Sequence, residues 1–227
     1  MQLATAPDIL ADAPIGDNSD CVFCPSSLLH SVSDFDRPLD ASNEALLIPA
    51  LGMLVPGYLL AITRLHVPSL AYMSNQSIEG VYEWLGRATA ALAPQFGNYA
   101  LVEHGGCPAT ASGSCIDHAH IHAVPLSDRL RTRVFSDARL RFSRVTEAEE
   151  LARLRGRGYI SYVDDSGFWV STDAAVPSQW IRRLIGEELG TDAWDWALNP
   201  GLPNLRRTLQ SVGTCECLSK GHDGPEH

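Results

Sequence analysis

No run of lysine and arginine long enough to make a basic stripe occurs in the 227 residues, and the formal charge is −10. That argues against a general nucleic-acid binder, whose affinity comes from neutralising phosphates along a backbone. A small anionic ligand stays compatible, because a few local donors can outweigh a modest global charge. A membrane-spanning run is missing too. The opening MQLATAPDILADAPIGDNSD has neither a basic n-region nor an apolar core of signal-peptide length. The expectation is a cytoplasmic protein with no membrane partner. The spacing of a disulfide scaffold is also lacking. Of six cysteines, Cys21 and Cys24 form a CxxC, Cys107 and Cys115 stand apart, and Cys215 and Cys217 lie in a polar tail. In a reducing compartment a CxxC points to half a metal site or to a redox pair. There is no internal repeat, and at 45% hydrophobic the chain can bury one substantial core with an appended subdomain.

Against these absences one stretch stands out, Asp117-His118-Ala119-His120-Ile121-His122-Ala123-Val124-Pro125. Histidines recur at every second position with apolar residues between them. On a strand, side chains at i, i+2 and i+4 share a face, so the three imidazoles would line one surface while Ala119, Ile121 and Ala123 enter the core. On a helix His120 would point away from the other two. Imidazole is the side chain that serves as nucleophile, proton carrier or metal ligand near neutral pH.

The rest of the chain punctuates itself into an α+β order. Glu44 to Pro49 reads as a strand, and Tyr58 to Thr63 as its antiparallel partner after Gly52, Pro56 and Gly57. Apolar residues at Ile78, Val81, Trp84, Leu85, Ala88 and Leu92 keep helical spacing, with Pro94 and Gly97 as stops. Tyr99 to His104 is a strand, and a small-residue loop from Cys107 to Gly113 leads into the histidines. Such a loop lets backbone N–H groups approach an anion. Beyond a polar stretch from Asp128 to Arg144, a helix is expected over Thr146 to Arg155. A hairpin around Asp164-Asp165-Ser166 and a helix from Pro177 to Leu189, ended by Gly190, follow. Phe168, Trp169, Trp194 and Trp196 read as a small aromatic core or a dimer contact.

His118-Ala119-His120-Ile121-His122-Ala123-Val124 resembles the histidine triad family, whose signature is His-φ-His-φ-His-φ-φ, and it matches at every position. Val102-Glu103-His104-Gly105, Gly113-Ser114-Cys115-Ile116-Asp117, and Pro56-Gly57 with Leu60-Ala61-Ile62 and Arg64…His66 are similar to that family too. The resemblance covers roughly residues 20 to 126. It implies an antiparallel sheet with one long helix, to which a small C-terminal hairpin and helix are added. The domain order expected is a flexible terminus over residues 1–18, the catalytic domain over 19–145, an extension packed on it over 146–212, and a flexible tail over 213–227.

The resemblance implies a nucleotidyl hydrolase or transferase acting on a nucleotide or nucleotide conjugate. His120 would attack the α-phosphorus and form a nucleotidyl-imidazole intermediate, its distal nitrogen being free if the other donates to a backbone carbonyl. His122 would hold phosphate oxygens or assist the leaving group. Backbone N–H groups at Gly113, Ser114 and Cys115 would bind the phosphoryl oxygens. Some members of the family carry a zinc site, and the matching positions here are Cys21, Cys24, His66 and His118. Two thiolates and two imidazoles close the tetrahedron and make that Zn²⁺ structural. A homodimer is expected on the same resemblance. Where many members have a histidine after Pro-Gly, this chain has Tyr58, and a phenol cannot carry a proton at neutral pH in the same way. His104 is left without a definite role. Arg182 and Arg183 read either as phosphate donors or as the solvated face of an amphipathic helix. Two rival functions are a zinc hydrolase with His118, His120 and His122 all as ligands, and a nucleotide-binding protein without turnover.

Overall fold

The structure is a computed structural model, and it describes residues 21–31, 34–106, 116–172 and 176–213. The expected flexible segment 1–18, residues 214–227 of the expected tail 213–227, and the loop containing Gly113, Ser114 and Cys115 lie outside the described residues. The chain folds as α+β. Helix α1 (Pro25–His30) leads by a short turn into strands β1 (Asp40–Ala41), β2 (Ala45–Pro49) and β3 (Leu59–Thr63). The long helix α2 (Asn75–Phe96) follows, then β4 (Ala100–Gly105) and β5 (His120–Val124). Helix α3 (Ser127–Ser136), β6 (Ser143–Val145), α4 (Ala148–Ala152), β7 (Tyr159–Asp164), β8 (Gly167–Thr172), α5 (Trp180–Leu189) and α6 (Leu202–Gly213) complete it.

All eight strands join one antiparallel sheet in the order β1-β2-β3-β5-β4-β7-β8-β6. The β7–β8 hairpin, expected in the C-terminal extension, hydrogen-bonds to β4 and continues the same sheet, with Val102 opposite Tyr162. The histidine strand therefore has a neighbour on each side. Alternation sorts its residues as expected. Ala119, Ile121 and Ala123 are buried, and Ile121 and Ala123 pack with Ile78, Val81, Leu85 and Leu92 of α2.

The other face of the sheet is where the C-terminal half of the chain returns. Leu130 and Val134 of α3, Trp180, Ile181 and Ile185 of α5 and Leu205 of α6 pack with Cys24, Leu28, Leu46, Ile48 and Val102. Trp180 is almost wholly buried, and its indole N–H donates to Asp137 at 2.9 Å. Thr208 of α6 accepts from the Gly57 N–H at 2.7 Å, and Asn204 donates to the carbonyls of Met53 and Leu54. These bonds pin the loop between β2 and β3 against the last helix.

Three sequence expectations need correction. Pro94 does not stop α2: it sits within the last turn, and Gly97, at φ +95°, ends the helix by donating its N–H to the Ala93 carbonyl. The polar stretch after Asp128 holds α3 and β6, because Leu130 and Val134 are enough to anchor a short helix on the sheet. The helix expected over Thr146 to Arg155 is only Ala148–Ala152, capped by a reciprocal Glu147–Glu150 box.

One buried acid lies behind the histidine strand. Glu103 of β4 accepts from the Leu70 N–H at 2.8 Å and from the Tyr159 hydroxyl at 2.6 Å. Burial pushes its carboxyl up to about 7, and the two donors hold it back from going further. The unfolded carboxyl ionises near 4.5, so the folded state binds more protons between these values. Stability from this group falls as pH rises from about 4.5 through about 7, by roughly 3 kcal/mol in all. Urea unfolding of Glu103→Gln against the native chain across that window should show this loss in the native chain and not in the variant. A difference independent of pH would mean that Glu103 ionises normally in the fold.

Candidate active site and metal centre

His118 stands just before β5, where the Ala119 N–H donates to the Val67 carbonyl and the Ala119 carbonyl accepts from the Thr63 N–H. The Nε2–H of His118 donates to the Thr63 carbonyl at 2.7 Å, and a carbonyl can only accept. Nδ1 therefore keeps its lone pair, and that atom lies 3.4 Å from the Cys21 Sγ and 3.7 Å from the Cys24 Sγ. Cys24 Sγ is in turn 3.4 Å from Nδ1 of His66. The ligand atoms of all four residues lie within 4.8 Å of one another.

The spacing fits a metal. Zn–S bonds of about 2.3 Å and Zn–N bonds of about 2.0–2.1 Å at a tetrahedral angle put sulfur and nitrogen about 3.6 Å apart along each edge. The tautomer fits as well, since His118 presents a lone pair and anchors its other nitrogen on a carbonyl, as metal-bound histidines do. Among the described residues no group able to hold a metal includes His120 or His122. The three-histidine ligand set finds no support, because the Nδ1 of His118 lies beside the two thiols.

His120 and His122 face a different space, a cavity of about 270 Å³ between the sheet and α5. Its walls are mostly apolar: Phe23, Ile48, Leu60, Ile116 and Ile181, with Trp180 and Trp196 from the C-terminal segment. Register fixes the two imidazoles, His120 opposite Ile62 and His122 between Leu60 and Val102. The Nδ1–H of His120 donates to the His118 carbonyl at 2.7 Å, leaving its Nε2 lone pair for the cavity. Phe23 of the CxxC meets His118 and His120 edge-on, at 6.1 Å and 5.3 Å between ring centroids. It thereby separates the cysteine cluster from the cavity.

His122 has a different partner. Its Nδ1 is 2.7 Å from the hydroxyl of Tyr58, which is completely buried. The Arg182 guanidinium lies over the Tyr58 ring, 5.8 Å from its centroid. Burial pushes the Tyr58 hydroxyl up to about 12, with the Arg182 charge pulling the other way, so it stays protonated. His122 is held well below the ordinary imidazole range, by burial first and then by His120, Arg182 and His104. His104 also lines the cavity, and burial with the neighbouring His120 lowers it to about 4. His120 is lowered by burial, against the opposing pull of its bond to the His118 carbonyl.

Arg182 is not a solvated helix residue. It is buried, with Nε donating to the Trp194 carbonyl at 2.7 Å and its two terminal nitrogens to the carbonyls of Leu51 and Gly52. Gly52, at φ +69°, is required there, since a Cβ would come within 2.6 Å of both the guanidinium and Trp196. Arg183 instead stacks on Trp194, 3.6 Å from the ring centroid. Sequence reasoning named Tyr58, His104 and Arg182 without placing them, and it did not find Phe23. Only the position of Phe23 inside the CxxC could have drawn attention to it.

No family model matches the chain, and no curated protein does. Among solved structures it is similar to a Hit-like protein involved in cell-cycle regulation from Bartonella henselae, whose crystal structure contains an unknown ligand. The identity is 13% and the TM-score 0.40, over 48% of this chain and 82% of that one. A likeness that remote supports no assignment of function.

The cysteine cluster makes a prediction that does not depend on catalysis. Protein made with zinc in the medium should hold about one metal ion per chain, and Cys24→Ala should hold none. The same change should lower the free energy of unfolding by more than about 3 kcal/mol, since folding is coupled to metal binding. Chelator should lower the melting temperature of the native chain and leave Cys24→Ala unmoved. An unaltered metal content in the variant would exclude this ligand set.

Proposed function

We propose that the chain is a nucleotidyl hydrolase or transferase of the histidine-triad kind, using His120 as a nucleophile on the α-phosphorus of a nucleotide conjugate. The observation that carries this reading is the hydrogen bond from His120 Nδ1 to the His118 carbonyl. It leaves the other ring nitrogen unprotonated on the cavity side, and burial keeps the ring neutral. A neutral imidazole with its lone pair directed at substrate is the reactive form of this nucleophile. His122, beside it on the strand at 5.1 Å between ring centroids, is suited to bind a phosphate oxygen.

The apolar walls favour a flat, weakly polar group such as a nucleobase in the cavity, with the phosphate at its histidine end. Ile48 of β2 lines that cavity and would supply an apolar contact to the base. Gly113, Ser114 and Cys115 remain the residues proposed for the phosphoryl oxygens. Cys21, Cys24, His66 and His118 would hold a zinc ion, which when bound supplies a fixed cross-link and no reacting position. Their part in turnover is positional: they hold His118, whose carbonyl fixes the His120 ring.

A nucleotide conjugate labelled on the α-phosphate, mixed with excess protein and quenched in alkali, should leave label on the protein. The label should be lost on mild acid treatment, as expected of a phosphorus–nitrogen bond. His120→Ala should take up none, keep its metal, and lose at least about 10⁴-fold in turnover, as loss of a covalent nucleophile does. Labelling that survives the substitution, or metal that is lost with it, would falsify the assignment.

A further inference from the structure

We propose that the buried hydroxyl of Tyr58 locks His122 as a neutral Nε2–H donor, so that the substrate must carry a leaving group that departs as an anion without taking a proton. The substrate class is then a nucleotide joined through an anhydride bond to phosphate or to a carboxylic acid, not an amine phosphoramidate or an alkyl ester. This deepens the reading of His120 as the nucleophile and rests on it, but the lock itself follows from hydrogen-bond geometry.

A guanidinium has five N–H donors and no acceptor. Arg182 gives three donors to the carbonyls of Trp194, Leu51 and Gly52 and, 5.8 Å from the Tyr58 ring centroid, has no acceptor to offer the phenol oxygen. That oxygen carries one hydrogen of its own, in a wholly buried position, and its neighbour at 2.7 Å is His122 Nδ1. If Nδ1 carried a hydrogen, the phenol would accept it and its own hydrogen would be buried without an acceptor among the described residues. The hydroxyl therefore donates to Nδ1, and the ring hydrogen of neutral His122 is on Nε2. Protonating His122 would force the same conflict and place a second cation beside Arg182. The other groups around His122 offer no substitute: His120 lies next to it on the strand, His104 shares the cavity, and Asp36 is the one acid in the lining.

The chemistry then has one consistent course. The Nε2 lone pair of His120 forms a bond to phosphorus as the bond to the leaving oxygen breaks, and that oxygen takes the bonding pair. His122 Nε2–H hydrogen-bonds to the departing oxygen and keeps its proton. When water attacks in turn, the phosphorus–nitrogen pair returns to His120 and the proton of the water passes to solvent. Phosphate and carboxylate oxygens are stable as anions. Amines and alkoxides need the proton that His122 holds back, and lack of such proton transfer costs about 10²–10⁴-fold.

Two measurements test this. Proton-coupled ¹⁵N spectra of histidine-labelled protein should assign His122 as the Nε2–H tautomer, and Tyr58→Phe should convert it to a mixture. A native Nδ1–H tautomer or an imidazolium at pH 7 overturns the lock whether or not the protein turns over any substrate. In parallel, aryl esters of adenosine and guanosine 5′-monophosphate with phenols of graded acidity should be compared. The kcat/KM should fall about tenfold for each tenfold loss of phenol acidity, and an alkylamine phosphoramidate should react at least about 10²-fold more slowly than the 4-nitrophenyl ester. A flat series that still requires His120 would overturn the leaving-group inference and leave the nucleophile standing. Turnover of the 4-nitrophenyl ester undiminished in His120→Ala would instead remove the nucleophile.

Discussion

His118 acts on the rest of the site through three of its atoms. Its Nδ1 faces the two thiols, its Nε2–H is tied to the Thr63 carbonyl, and its own carbonyl receives the proton of His120. Whatever fixes this residue fixes the tautomer of the next histidine along the strand. A peptide carbonyl moves only with its backbone, so the cysteine cluster can govern chemistry it does not touch. Phe23 supports the arrangement from the same CxxC, lying edge-on to both rings.

The second histidine is fixed from the opposite end of the molecule. His122 takes its orientation from Tyr58 on the loop before β3, and the Arg182 guanidinium of α5 lies over the Tyr58 ring. Arg182 also fastens the carbonyls of Leu51 and Gly52 to α5, while Asn204 of α6 fastens those of Met53 and Leu54 and Thr208 accepts from the Gly57 N–H. Two neighbouring imidazoles are thus positioned by chain segments more than a hundred residues apart. One anchor is N-terminal and rich in sulfur; the other is C-terminal and cationic.

Much of this was legible in the sequence, for identifiable reasons. Alternation of histidine with small apolar residues has one sensible backbone, and β5 follows it from His120 to Val124. The long helix declared itself because seven of its residues are buried along one side, from Ile78 to Leu92. The four positions that could hold a metal are separated by up to 97 residues, and only a resemblance could join them before the fold did. Arg182 was misleading because periodicity marks a residue as being on a helix face without saying what that face meets. The bonds that bury it go to backbone carbonyls, which have no signature in a sequence. The helix α6 shows apolar spacing at Leu205 and Val212, but Pro203 and the polar residues around it hid it.

The histidine strand lies between β3 and β4, with three strands on one side of it and four on the other, and with helices on both faces. A strand so enclosed has no unpaired edge along which to slide, and a shift of one residue would turn both imidazoles into the helix side of the core. The tautomers of His120 and His122 are therefore properties of sheet register as much as of local hydrogen bonding. Evolution can exchange the apolar walls of the cavity one at a time and retune what the cavity admits. It cannot move the two imidazoles without rebuilding the middle of the sheet.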